Sequence, residues 1–123
     1  MVSTTKGKGD EGEARALAHL LRQGLRLVER NYRVAAGPRA FGGEVDLIVR
    51  DRDGTLVFVE VRVRRDGRHG GAAASVTAAK QRRVLFAARR YLQAFASPPP
   101  CRFDVVVIEG DVLTWLPAAF ADA

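Results

Sequence analysis

Cysteine, histidine and lysine are all scarce in this 123-residue chain. One cysteine, Cys101, cannot close an intrachain disulfide, and with His19 and His69 as the only imidazoles a His/Cys zinc cluster has no basis. Any metal held here must therefore be held by oxygen. No segment approaches the roughly 18 consecutive apolar residues of a membrane span. The first ten residues, Met1 to Asp10, also lack the apolar core of a signal peptide. A cytoplasmic domain with no membrane partner is expected. Lysine is nearly absent: the 20 Lys and Arg are seventeen arginines with Lys6, Lys8 and Lys80.

The chain is long enough for one compact core and too short for two, so residues 10–123 are expected to form a single domain behind a loose polar tail, 1–9. A hydrophobic share of 47% with 28% charged residues fits a folded globular chain and argues against disorder. The formal charge of +6 favours a polyanionic partner, of which nucleic acid is the commonest. Solubilising surface charge is the alternative.

Apolar periodicity predicts a helix from Glu11 to Gln23, with Asp10 as N-cap, Gly24 as stop, and Ala14, Leu17, Ala18 and Leu21 along one face. Leu25 to Val34 reads as a strand with imperfect alternation, and a glycine- and proline-bearing turn follows it. Alternation is clearer in Glu44 to Arg50, where Val45, Leu47 and Val49 oppose Glu44, Asp46 and Ile48. It is clear again in Thr55 to Arg64. Residues 65–75 are glycine-rich and basic, a loop. Thr77 then caps a helix from Ala78 to Ala96, ended by Pro98-Pro99-Pro100. Arg102 to Glu109 is nearly all apolar and is expected at the sheet centre. Val112 to Leu116 is a last strand, stopped by Pro117. The order αβββαββ defines an α/β sandwich, a mixed sheet flanked by helices.

Residues two apart on a strand share a face, so Glu44 and Asp46 point together, as do Glu60 and Arg62. Asp46 stands opposite Glu60 if the hairpin closes with Asp51 against Thr55. That register leaves a three-residue loop, Arg52-Asp53-Gly54, with glycine in the left-handed position. The two strands thus offer three carboxylates, Glu44, Asp46 and Glu60, as candidate metal ligands; neighbouring carboxylates repel unless a cation lies between them, and Mg²⁺ or Mn²⁺ is the simplest resolution. Such an ion activates water and neutralises charge on a phosphodiester. Arg64, Arg65 and Arg68 in the loop, and Arg82, Arg83, Arg89 and Arg90 on the second helix, are the candidate phosphate contacts.

Five segments carry a resemblance: Gly12-Glu13 to Ala16, Gly43-Glu44-Val45-Asp46-Leu47-Ile48, Val57-Phe58-Val59-Glu60-Val61-Arg62-Val63-Arg64, Ser75-Val76 to Lys80, and Arg102-Phe103-Asp104-Val105-Val106. Together they resemble the YraN-like family of uncharacterised bacterial proteins over residues 10–116. That family is similar to the restriction-endonuclease-like PD-(D/E)xK superfamily and, within it, to Holliday junction resolvases. The resemblance implies a metal-dependent nuclease fold acting on DNA, with Asp46 and Glu60 as ligands, the Val61 carbonyl as a further oxygen, and Glu13 as an additional acidic ligand. Junction cutting needs two sites and so implies a homodimer. The superfamily motif ends in lysine where this chain has Arg62, which keeps its charge and cannot give up a proton. Lys80, the only lysine beyond the tail, is the candidate to have taken over that role.

Each candidate has a purely structural alternative. Glu44 can be a solvated strand-edge carboxylate, Glu13 a helix-terminus charge, Asp46 and Glu60 partners of Arg62, and Lys80 with its neighbouring arginines a solvated face. Asp104 reads as a structural partner of Arg102, Trp115 and Tyr91 as core aromatics, and His69 as an exposed loop residue. Three functions compete: a nuclease, a catalytically silent nucleic-acid-binding module on the same fold, and a protein-interaction scaffold resting on Trp115 to Phe120.

Overall fold

The structure, a computed structural model, describes residues 4–37, 42–64 and 76–122, with side chains from Asp10 onward. Its elements run α1 (Thr4–Arg22), β1 (Arg26–Val34), β2 (Gly43–Arg50), β3 (Leu56–Arg64), α2 (Ala78–Leu92), β4 (Cys101–Glu109) and β5 (Val112–Phe120). The strands form one sheet in chain order, antiparallel everywhere except between β3 and β4. A parallel neighbour needs a crossover, and α2 supplies it. Among the described residues no helix is long and apolar enough to cross a membrane.

The sheet has a core on each face. Ala16 and Leu20 of α1 pack with Leu47, Val49, Val57, Val59, Val106 and Ile108. Val84, Ala87 and Ala88 of α2 pack with Ile48, Leu56, Phe58 and Phe103. β4 is covered on both sides, and Phe103 to Ile108 are all buried, as its apolar run requires.

The β2–β3 hairpin has the expected register: Arg50 pairs with Leu56, Val49 with Val57, Ile48 with Phe58 and Leu47 with Val59. The Asp51 amide donates to the Thr55 carbonyl at 2.9 Å, and Gly54 takes φ 91°. Any other residue would be strained there.

Several boundaries differ from the sequence reading. Helix α1 begins at Thr4, so Asp10 lies within it and is no N-cap. No proline between residues 4 and 10 stops the helix from extending backwards. Helix α2 ends at Leu92, and the next turns tighten, with Ala94 donating to Tyr91 and Phe95 to Leu92. Val45 packs with Ile48 on the α2 face and not with Leu47 and Val49, a departure from the strict alternation expected. β5 continues past Pro117 to Phe120. It is an edge strand, where proline's missing N–H costs no ladder bond. A bulge with Ala118 at φ 50° absorbs the proline, and the Ala118 amide donates to buried Asp104 at 2.9 Å.

Asp104 is fully buried and also accepts from Trp115 Nε1 at 2.9 Å and from Arg102 Nε at 3.1 Å; Arg102 reaches on to Asp51 at 2.8 Å. It is a structural partner, as expected. Trp115 packs on the α1-side core and Phe120 stacks on Phe103, so the proposed scaffold segment is absorbed into the sheet. Tyr91 packs against Tyr32, Phe58 and Phe95, a core aromatic.

Candidate active site

Two glycines let the helices come down close to the strands that carry the acids. A Cβ on Gly43 would lie 2.3 Å from the Arg83 carbonyl oxygen and 2.8 Å from the Ala87 nitrogen, so α2 rests directly on the start of β2. A Cβ on Gly12 would lie 2.6 Å from a methyl of Val63, so α1 comes down onto the side chains of β3. These contacts bring Lys80 and Arg83 over one side of the hairpin and Glu13 over the other.

Past the Leu47–Val59 pair, β2 and β3 part, and the Val61 amide donates to Asp46 Oδ2 at 2.7 Å. This fixes Asp46 beside Glu60, and the two carboxyls share a hydrogen bond. Glu60 is only 7% exposed. Burial first, and then the Asp46 charge, push its carboxyl up to about 8 against an ordinary 4.5. Asp46 is also raised, chiefly by burial, while the Val61 amide pulls it down. Burial and the neighbouring charge thus favour the pair holding a proton, on Glu60 rather than on Asp46.

Lys80 Nζ lies 3.9 Å from Glu60 Oε2, and its charge, with that of Arg62, favours the ionised form of Glu60. The Arg62 Nε is buried with no hydrogen-bond partner among the described residues, and so is Glu13 Oε1. Glu13 is raised by burial and by Asp46, and is drawn down by Asn31 and by Arg30, whose guanidinium is 3.9 Å away. Glu44 turns both oxygens to arginine: Oε2 is 3.4 Å from Arg33 Nε and Oε1 is 3.7 Å from an Arg83 nitrogen. Glu44, Glu60, Lys80, Arg83 and Val84 line a pit of about 10 Å³, room for one water.

The basic candidates divide. Arg82 and Arg83 line a cavity of about 420 Å³ with Gly42, Ala79 and Phe86, beside the pit. Arg64 Nε is 3.9 Å from Glu109. Arg89 is exposed on α2, its Nε donating to the Asp122 carboxylate at 2.9 Å in a surface ion pair. Arg90 is exposed on α2. Arg65, Arg68 and His69 lie outside the described residues. Sequence reasoning missed Arg30, Asn31 and Arg33 of β1. The signal was the broken alternation of that strand, which reflects a bulge between Leu27 and Glu29 and Asn31 at φ 53°.

Fold and site together define an α/β protein whose five-stranded mixed sheet presents a hydrogen-bonded carboxyl pair beneath a basic helix. The chain belongs to the uncharacterised protein family UPF0102, whose profile matches residues 12–108. A UPF0102 protein of Methylibium petroleiphilum is 70% identical over 117 residues, covering 95% of this chain and 96% of its own. One from Paracidovorax citrulli is 60% identical, covering 96% of this chain and 85% of its own. One from Cupriavidus necator is 58% identical, with 97% and 86% covered.

Proposed function

We propose that this protein is a Mg²⁺- or Mn²⁺-dependent endonuclease on a restriction-endonuclease-like fold. It hydrolyses phosphodiester bonds in DNA, branched DNA included, as a cytoplasmic homodimer. The observation that carries the proposal is the contact between half-buried Asp46 and buried Glu60, two carboxyls from adjacent strands whose mutual repulsion a shared proton or a divalent cation relieves. Among the described residues no three acidic or imidazole side chains form a ready-made cage. The donor set is therefore two carboxylates, to which the Val61 carbonyl would add an oxygen; Glu13 feels the Asp46 charge from α1 without joining the pair. That suits a hard ion which keeps several waters.

Bound there, the ion supplies Lewis acidity that activates water and neutralises charge on the phosphodiester. The chain's own residues do the rest. The Val61 amide orients Asp46. Lys80 sets an ammonium against Glu60, able to give up and take back a proton near the reacting water, which Arg62 cannot do. Arg62 adds positive charge for the developing phosphorane.

The catalytically silent module is favoured by one observation, arginine at position 62. Labelled duplex, single-stranded and four-way-junction DNA, incubated with protein in Mg²⁺, Mn²⁺ or EDTA, decides between the two. A nuclease cuts at least one substrate with metal and none in EDTA, and Glu60→Gln abolishes cutting while still binding DNA. Cutting by Glu60→Gln at the wild-type rate rejects this active site; binding without cutting under every metal selects the silent module.

A further inference from the structure

Three recesses meet at Arg83, and two of them at Glu44 as well. The pit holding Glu60 and Lys80 shares both residues with a second cavity of about 270 Å³, lined by Arg33, Val34, Gly42 and Gly43 as well. The Arg82–Phe86 cavity joins this groove through Gly42 and Arg83. Gly42 and Gly43 let the walls of this groove close on one another: a Cβ on Gly42 would overlap the Val34 carbonyl, and one on Gly43 would overlap α2.

Within the groove, Glu44 is the only acid among the described lining residues outside the Asp46–Glu60 pair, and it sits between two guanidiniums from different elements, Arg33 on β1 and Arg83 on α2. Two forks converging on one carboxylate present the geometry that also receives a phosphate's oxygens. All three side chains are 41% exposed or more, so the internal ion pairs are weak and open to exchange.

We infer that Arg33 and Arg83 form a clamp for a backbone phosphodiester of the bound strand, and that Glu44 is a built-in placeholder which the phosphate displaces. The inference rests on the nucleic-acid reading above but not on cleavage. A phosphate held there lies one recess away from Glu60 and Lys80, so the clamp positions the strand beside the carboxyl pair. It also gives Glu44 a part distinct from metal ligation: it tempers affinity, so that strands without a phosphate at the groove gain nothing from the arginines.

The test is fluorescence anisotropy with labelled single-stranded and four-way-junction DNA in EDTA, which removes cleavage from the readout. Glu44→Gln is expected to tighten binding about three- to tenfold, because two arginines lose an internal partner. It should also steepen the dependence of log affinity on log salt by about one. Asp53→Asn, an equal charge change at the opposite end of the hairpin, sets the gain due to net charge alone. Arg33→Ala and Arg83→Ala should each weaken binding and flatten the salt slope by about one. In the double arginine variant, Glu44→Gln should gain no more than Asp53→Asn does. Inorganic phosphate at matched ionic strength should displace the strand less than about twofold; stronger displacement assigns the clamp to free phosphate and overturns the strand reading. A Glu44→Gln gain equal to that of Asp53→Asn, a gain that survives loss of both arginines, or no binding by any form overturns the clamp. Binding as expected with no cleavage under any metal leaves the clamp standing and rejects only the nuclease.

Discussion

Replacing Glu60 by glutamine keeps the side chain's shape and removes a carboxyl that the fold holds protonated against its nature. The glutamine amide donates to Asp46 as the protonated carboxyl does, and its oxygen faces Lys80. In the folded chain the Glu60 proton is held to about pH 8, against 4.5 for the ordinary carboxyl. Folding therefore takes up a proton between those values. The Glu60 contribution to stability is greatest below 4.5, falls as pH rises toward 8, and levels off once the folded carboxyl has ionised. A displacement of that size corresponds to roughly 5 kcal/mol if Glu60 bears it alone. Asp46 shares the ionisation and water relaxes the ionised pair, so a gain of about 2 kcal/mol is expected from glutamine. For a domain of this size that raises the melting temperature by roughly 6–10 °C. Thermal unfolding in EDTA at about pH 5 and about pH 9 measures it. The variant should match wild type at the lower pH and exceed it at the higher. A gap independent of pH, or a variant less stable at the higher pH, refutes the buried shared proton.

Three further outcomes follow from the same geometry. Mn²⁺ must displace the shared proton, so its affinity should rise about tenfold per pH unit up to about pH 8, with proton release seen by calorimetry in buffers of different ionisation enthalpy; affinity flat with pH contradicts this. Lys80→Met should slow metal-dependent cleavage by about 10²–10⁴-fold, and Lys80→Arg should fail to restore it, whereas Arg62→Lys should preserve or raise it; single-turnover rates give the comparison. Gly43→Ala must push α2 off β2, since its Cβ would meet the Arg83 carbonyl at 2.3 Å, and should cost about 1–3 kcal/mol in denaturant unfolding. An unchanged midpoint would mean that α2 does not rest on Gly43.

What was legible in the chain was local. The β2–β3 register, its three-residue turn and the meeting of Asp46 with Glu60 follow from two alternating runs and the placing of Gly54. Lys80 stood out because it is the only lysine beyond the tail, and α2 carries it to Glu60. The misses depend on partners far away in sequence. β5 runs past Pro117 because the Asp104 side chain, 14 residues earlier, takes up the Ala118 amide. Arg89 finds Asp122 across 33 residues, a pairing that no local pattern signals. The convergence of Arg33 and Arg83 on Glu44 depends on a bulge in β1 and a left-handed Asn31, which shift the strand's register in a way alternation alone does not encode.

The most direct test of the carboxyl pair as a metal site is anomalous scattering from crystals grown with Mn²⁺ above about pH 8, where the shared proton has left. A peak lying between the Asp46 and Glu60 carboxylates, and lost in Glu60→Gln crystals, is the result expected. An undisturbed hydrogen bond between the two carboxyls, with manganese bound elsewhere or not at all, would contradict it.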